Sequence, residues 1–361
     1  MPDGANDRIA DAFTRHAIDL LRFEAGERRR VRRFLKDLER DLVSQLAAVD
    51  PTGVQRETYR AQRLGKLLDQ VRVTIRQSYR TTRDALKAEL IELAQIEDEF
   101  VARAINEGIG LDYATEALSP QTARALVGDV TVQGAPVAEW WDRQAGDTLQ
   151  RFTDQMRLGI AQGETNGQLI QRVRGGTRNG EPVVGFMETS TRNAETLVRS
   201  ATQAVAERAK DATYAANDDM IGALVWTATL DSRTTLQCMA RDDKRYEPRT
   251  KKPIGHDLPW GGGPGQLHWG CRSSSRPETK SWRALGIDID DLPPGTRASM
   301  DGQVAADTSF EAWLSRRSKA EQDAALGPGR ADLWRNGDIT FRDLLDANGR
   351  ELSVAELRAR M

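Results

Sequence analysis

Leu224-Val-Trp-Thr-Ala-Thr229 is the stretch on which the fold turns. It is β-branched and aromatic, and it follows a long helical pattern, so the hydrophobic period changes there from helix to strand. A second short strand is expected around Arg272 to Arg276, and the two would close a small antiparallel sheet. Between them, residues 245–268 are rich in Gly, Pro and Lys, with Pro259-Trp-Gly-Gly-Gly-Pro-Gly265 at the centre. No Lys-Ser/Thr follows those glycines and no clear helix begins there, so they read as a flexible surface loop and not as a phosphate cradle.

Working outward, Thr189 to Asn217 predicts a strong helix, with Ala194, Leu197, Val198, Ala201, Val205 and Ala209 along one side. A helix is expected from Val137 to Leu158, carrying the adjacent Trp140 and Trp141, one as core and one as an interface anchor. A short strand at Asp129-Val-Thr-Val-Gln133 precedes it. Gly163 to Gly167 starts a short helix that Gly175 and Gly176 end. Residues 5–107 read as long helices. Val31, Leu35, Leu38, Leu42 and Leu46 step along one face, Pro51-Thr-Gly53 marks a turn, and two further series run through Leu64 to Ile75 and Leu86 to Phe100. A three-helix hairpin or bundle is the simplest arrangement. After residue 307 come short helices with capping boxes at Thr308/Glu311, Ser318/Glu321 and Ser353/Glu356.

The 361 residues are 29% charged and 39% hydrophobic with a formal net charge of −2, an ordinary balance without the basic signature of a nucleic-acid coat. No apolar run reaches the length of a membrane span, and MPDGANDRIADAF lacks the pattern of a signal peptide, so a cytoplasmic site of synthesis is expected. The three histidines are His16, His256 and His268, which limits general-base chemistry. The basic run Arg28, Arg29, Arg30, Arg32, Arg33 and Lys36 could contact DNA phosphates or an acidic partner, but Asp37, Glu39 and Asp41 follow closely.

The two cysteines, Cys238 and Cys271, flank the long loop, and His268 stands three residues before the second. The halves read Trp226-Thr-Ala-Thr-Leu-Asp231-Ser-Arg233-Thr234-Thr-Leu-Gln-Cys238 and His268-Trp-Gly-Cys271-Arg272-Ser-Ser-Ser-Arg-Pro277. This order and spacing resembles the phage Mu F-like family of minor head (head morphogenesis) proteins. The likeness covers about 135 to 280, and the segment from Phe310 resembles a tail often attached to such proteins. Many members carry further cysteines where this chain has Thr235 and Ser273.

Three readings of the Cys/His group stay open. It is a structural zinc site of Cys238, His268 and Cys271 with Asp231 or an aspartate of Asp242-Asp243 as fourth ligand. It is a Cys238–Cys271 disulfide, disfavoured in a reducing compartment. Or it is a metal-free polar clasp, the preferred reading, in which His268 donates to Asp231, Arg272 pairs with it, and the cysteines are small buried apolar residues. Catalysis is disfavoured: the deaminase pattern of His-x-Glu with Cys-x-x-Cys is absent, and no oxyanion arrangement is evident.

The expected fold is α+β and mostly helical: a helical arm over 1–110, a Mu F-like domain over 111–285 with a small antiparallel sheet, a linker over 286–306 and a small helical module over 307–361. The resemblance implies a structural, non-enzymatic protein of the virion, without a required cofactor. It would join the procapsid in the host cytoplasm through the portal and other capsid or scaffold proteins, the helical arm docking, and stay in the head interior near packaged DNA. The clasp residues are Trp226, Asp231, Arg233, Thr234, Cys238, His268, Cys271 and Arg272. Two alternatives stand beside this: a DNA-binding internal head protein, and an enzyme or toxin built on a Mu F-like domain.

Overall fold

The computed structural model describes residues 4–49, 57–178, 180–280, 296–299, 302–305 and 308–361. Two long helices come first, α1 (Ala5–Val49) and α2 (Glu57–Ile109), followed by α3 (Pro120–Asp129). A hairpin of β1 (Thr131–Val132) and β2 (Ala135–Pro136) leads into α4 (Val137–Ala161) and α5 (Asn166–Arg174). Hairpin β3 (Gly176–Arg178) and β4 (Glu181–Val183) precedes α6 (Phe186–Ala216). Then come β5 (Ile221–Thr227), α7 (Leu236–Arg241), β6 (Arg245–Tyr246), β7 (Pro253–Ile254) and β8 (Ser274–Thr279). A hairpin of β9 (Thr296–Ser299) and β10 (Gly302–Ala305) and four short helices follow: α8 (Phe310–Leu314), α9 (Lys319–Leu326), α10 (Pro328–Arg335) and α11 (Val354–Arg358). The fold is therefore mostly helical α+β with small antiparallel sheets, as expected. Among the described residues no helix is long and apolar enough to cross a membrane.

The three apolar series of the N-terminal region occupy two helices, not three. Leu67, Val71, Ile75, Tyr79, Thr82, Leu86, Leu90 and Leu93 form one buried row on α2. Nothing between Ile75 and Leu86 is Gly or Pro, so the helix has no reason to stop. The Pro51-Thr-Gly53 turn and most of the 286–306 linker lie outside the described residues.

The chain forms two compact units, each drawn from separate stretches, so the 1–110 helices are shared between them. One unit comprises Arg22–Ile91 and Gly128–Thr202. Here Arg30 pairs with Glu89 and Gln45 with Thr74, so α1 and α2 run antiparallel. The Tyr79 hydroxyl meets Thr148 Oγ1 at 2.8 Å, and Thr148 reaches Ser190 at 3.0 Å. Trp141 is core, while Trp140 is partly buried and donates to the Val132 carbonyl at 2.7 Å. Gln133 and Gly134 both have positive φ, the two-residue turn that matches the twist of the β1–β2 hairpin.

The other unit comprises Met1–Leu21, Glu92–Val127 and Gln203–Met361. Its four-stranded antiparallel sheet has the order β7-β6-β5-β8, with Trp226 opposite Ser275 and Leu224 opposite Pro277. Pro277 is tolerated because β8 is an edge strand. Ile9, Phe13, Phe100, Val101, Tyr214, Ile221 and Leu224 form one core cluster. The C-terminal helices form another around Phe310, Trp313 and Leu344, and it includes Leu230, Leu236 and Met239. Capping boxes hold at Ser318/Glu321 and Ser353/Glu356, but the first cap falls one residue later than expected: Ser309, not Thr308, accepts from the Ala312 amide.

A buried ionic network ties this unit together. Lys210 Nζ lies 3.0 Å from Glu207, 3.5 Å from Glu97 and 2.8 Å from Ser274 Oγ. Glu207 Oε2 accepts from the Ser275 amide at 3.0 Å and its hydroxyl at 2.6 Å, and Glu97 meets His16 at 2.8 Å. Burial works against the Lys210 ammonium, but Glu207 and Glu97 outweigh it and raise its pKa. Replacing Lys210 by Met leaves two like charges buried without their cation, and breaking a buried pair in this way costs about 3–5 kcal/mol. We expect Lys210→Met to lose that much in denaturant titrations at pH 7. The loss should shrink as the pH falls, because burial pushes the Glu97 carboxyl up once the ammonium that holds it down is gone, and it then takes up a proton.

Candidate functional site

The two halves of the Trp226–Pro277 stretch meet because β5 and β8 pair along their whole length. Trp226 is fully buried, its ring packed edge-on against Trp260 and tilted against Tyr246. It shares a cluster with Ala228, Cys238, Tyr246 and Cys271. Arg241, 1% exposed, lies over the Trp226 ring and donates to the carbonyls of Pro259 and Gln237. Sequence reading passed over Arg241, because nothing local separates a buried arginine from a surface one.

The turn after β5 is built on Asp231. Its Oδ1 accepts from the Arg233 amide at 2.9 Å and from Thr234 Oγ1 at 3.2 Å, and Thr234 also donates to the Thr229 carbonyl. Arg272 grips both oxygens of Asp231 from across the sheet, at 2.6 and 2.8 Å. Burial alone would raise the Asp231 carboxyl, but Arg272 outweighs it and holds it below its ordinary value. Arg233 contributes its amide; its side chain is 78% exposed and stands 3.7 Å from Asp231.

The expected bond from His268 to Asp231 does not form. The fork of Arg272 takes both carboxylate oxygens, and His268 turns elsewhere. Its Nδ1 is 3.0 Å from the Trp269 carbonyl, and a carbonyl can only accept, so Nδ1 carries the proton. Nε2 faces Thr235 Oγ1 at 2.9 Å and Cys238 Sγ at 3.3 Å. Cys238 Sγ lies 3.7 Å from Cys271 Sγ. The polar clasp is thus two separate constructions, an Asp231–Arg272 pair and a Cys238–His268–Cys271 triad.

No aspartate joins the triad. Asp231 is held by Arg272, and Asp242 accepts from the amides of Ala228 and Phe310, both at 2.8 Å. Asp243 lies 3.3 Å from Arg276. Among the described residues the triad is the only group of three or more His, Cys, Asp or Glu side chains placed to hold a metal ion. A cavity of about 20 Å³ adjoins it, lined by Thr235, Cys238, His268 and Ser273 among others. Thr235 and Ser273, where the Mu F-like family often has further cysteines, therefore face the same space.

The two thiols titrate as one system. Cys271 is held well below the ordinary thiol range by the hydrogen bond from Cys238, against burial, and by His268. Cys238 is pushed well above that range by Cys271 and by burial. Burial disfavours the charged form of His268, but Cys271 raises its pKa on balance. A thiolate next to a histidine is the chemistry of a nucleophile. Here both sulfurs are buried, and the cavity has room for about one water molecule.

The glycine loop is packed, not free. Gly263, Pro264 and Gly265 are buried. Both glycines have positive φ, and a side chain at Gly265 would meet the Gln203 carbonyl at 2.9 Å, so the close approach of α6 requires glycine there.

The basic run lies on α1 within the other unit. Arg28 pairs with Glu24, Arg30 with Glu89, Arg32 with Glu195 and Lys36 with Glu39. Arg29 donates to the Ala25 carbonyl, and Arg33 is exposed.

No known family model, curated protein or solved structure matches the chain. The resemblance to Mu F-like proteins rests on the motif residues themselves.

A charged hydrogen-bonded pair such as Asp231–Arg272 contributes about 1.5–3 kcal/mol. Asp231→Asn should therefore lower stability by about 2 kcal/mol at pH 7. Because the folded carboxyl lies below its unfolded value of about 3.9, its contribution is complete above that pH and is lost as the pH falls through the folded value. Denaturation midpoints followed from pH 7 into acid should converge for Asp231→Asn and the parent.

Proposed function

We propose that the chain is a minor head protein acting in procapsid assembly of a tailed bacteriophage, bound to the portal inside the head. In this reading the Trp226–Pro277 stretch is a structural element of an assembly protein and not an active site. The observation that carries it is that the motif's polar groups are consumed by one another. Asp231 is spent on Arg272, His268 on Thr235, Cys238 and Trp269, and the cavity beside them holds about one water. A larger cavity of about 200 Å³ lies beside Asp231 and Arg272, but its wall is mostly apolar and those two side chains already grip each other, which disfavours the enzyme or toxin alternative.

Docking falls to the long helices. Val73 and Ile96 on α2 are large apolar residues exposed to solvent, of the kind helix-on-helix association buries. The partners are the portal and other capsid or scaffold proteins. Direct binding of packaged DNA is the weaker reading, since four of the six cations in the Arg28–Lys36 run already face carboxylates.

The test is composition of particles. Co-expressed with the portal protein of its own phage, the chain should co-purify with that protein and be found in purified heads; its absence from particles sinks the proposal. In gel shifts at low salt, neutralising Arg28, Arg29, Arg30, Arg32 and Arg33 should change nothing. A salt-dependent shift that this variant abolishes would favour the DNA-binding reading instead.

A further inference from the structure

We propose that Cys238, His268 and Cys271 bind one zinc ion, with a water in the adjoining cavity as the fourth ligand. Four features point there. The first is spacing. Tetrahedral zinc with Zn–S of about 2.3 Å and Zn–N of about 2.0 Å sets its sulfurs about 3.8 Å apart and sulfur from nitrogen about 3.5 Å. Here the sulfurs are 3.7 Å apart and Cys238 Sγ is 3.3 Å from His268 Nε2; all three donors lie within 4.8 Å of one another, so Cys271 and His268 would draw together on the ion.

The second is orientation. His268 Nδ1–H is committed to the Trp269 carbonyl at 3.0 Å, which leaves Nε2 as the accepting nitrogen, with Cys238 Sγ at 3.3 Å and the Thr235 hydroxyl at 2.9 Å. A second hydrogen bond of this type is what fixes a metal-binding imidazole. The third is Thr235. It sits at the N-cap of α7, where a threonine hydroxyl ordinarily accepts from the helix, yet it makes no cap bond and donates to His268 Nε2 at 2.9 Å, a bond it would pass to the metal-bound water once the ion takes that lone pair. The fourth is the cavity of about 20 Å³, with Thr235 and Ser273 on its wall, which suits one metal-bound water and nothing larger.

The donor set selects the ion. Two sulfurs and an imidazole suit zinc and reject magnesium or calcium. On binding, any proton still held by a thiol passes to solvent and both sulfurs bond to the ion as thiolates, while His268 Nε2 exchanges the Thr235 hydroxyl for the ion. Two thiolates neutralise the divalent ion, so the filled site carries no net charge into a buried position. The ion would staple α7 to the approach to β8 and so close the loop between Cys238 and His268. This holds whether or not the chain acts in phage heads.

The experiment uses the full chain purified without added chelator. Elemental analysis should give about one zinc per chain, and Cys271→Ser should drop that at least tenfold. Cobalt(II) in place of zinc should give the visible bands of a tetrahedral site and a sulfur charge-transfer band, which only thiolate ligands produce. Chelator should lower the Tm of the parent by several degrees and leave that of Cys271→Ser unmoved. Ser273→Cys, which adds a donor at the cavity wall without removing one, should slow zinc loss to chelator; it also serves if Cys271→Ser fails to fold. A metal-free chain that takes up no cobalt, with two free thiols or with none because they are joined as a disulfide, overturns the proposal.

Discussion

A lysine with almost no exposed surface holds the sheet-bearing unit together. Lys210 stands between Glu97 on α2 and Glu207 on α6 and also donates to Ser274 at the start of β8. Three charges without water are costly individually, and such a group persists only when each member is satisfied by the others. The consequence is positional. Glu207 also accepts from Ser275, and Tyr214 donates to the Ser275 carbonyl, so the edge strand is pinned at two successive residues. With Ser275 fixed, the register with Trp226 follows, and with it the placement of Cys271 and Arg272 against the turn after β5.

Much of the scaffold was legible because it obeys simple periods. The buried row on α1 from Val31 to Leu46 is spaced as a helix face must be, and Leu224 to Thr227 reads as strand for its β-branched and aromatic content. Where reading failed, the cause was mostly an interaction remote in sequence. The division of α2 into two helices came from counting apolar series, when only a breaker could have ended the helix. The cap at Ser309 rather than Thr308 is a choice between adjacent hydroxyls that local pattern cannot make. Nothing local marks Lys210, since of its partners only Glu207 is on the same helix, while Glu97 is on α2 and Ser274 on β8.

At the candidate site the residue types were legible and their pairing was not. Asp231 and Arg272 do find each other, but the same bidentate grip excludes His268. A guanidinium fork saturates a carboxylate, so a third polar group must look elsewhere; that is a rule of hydrogen-bond capacity, invisible until all three are placed. The glycine loop failed in the same manner. Its composition resembles surface loop, yet Gly265 is there because a Cβ would strike the Gln203 carbonyl.

Asp242 carries a consequence of its own. One oxygen receives the Ala228 amide just beyond β5 and the other the Phe310 amide at the start of α8. The C-terminal helices are therefore no appendage: they cover Leu230, Leu236 and Met239 and complete the hydrogen bonding of one carboxylate. A ribosome that has released the sheet but not yet Phe310 holds a chain whose apolar turn is bare. Final closure of this unit therefore waits until residues 308–361 have been synthesised.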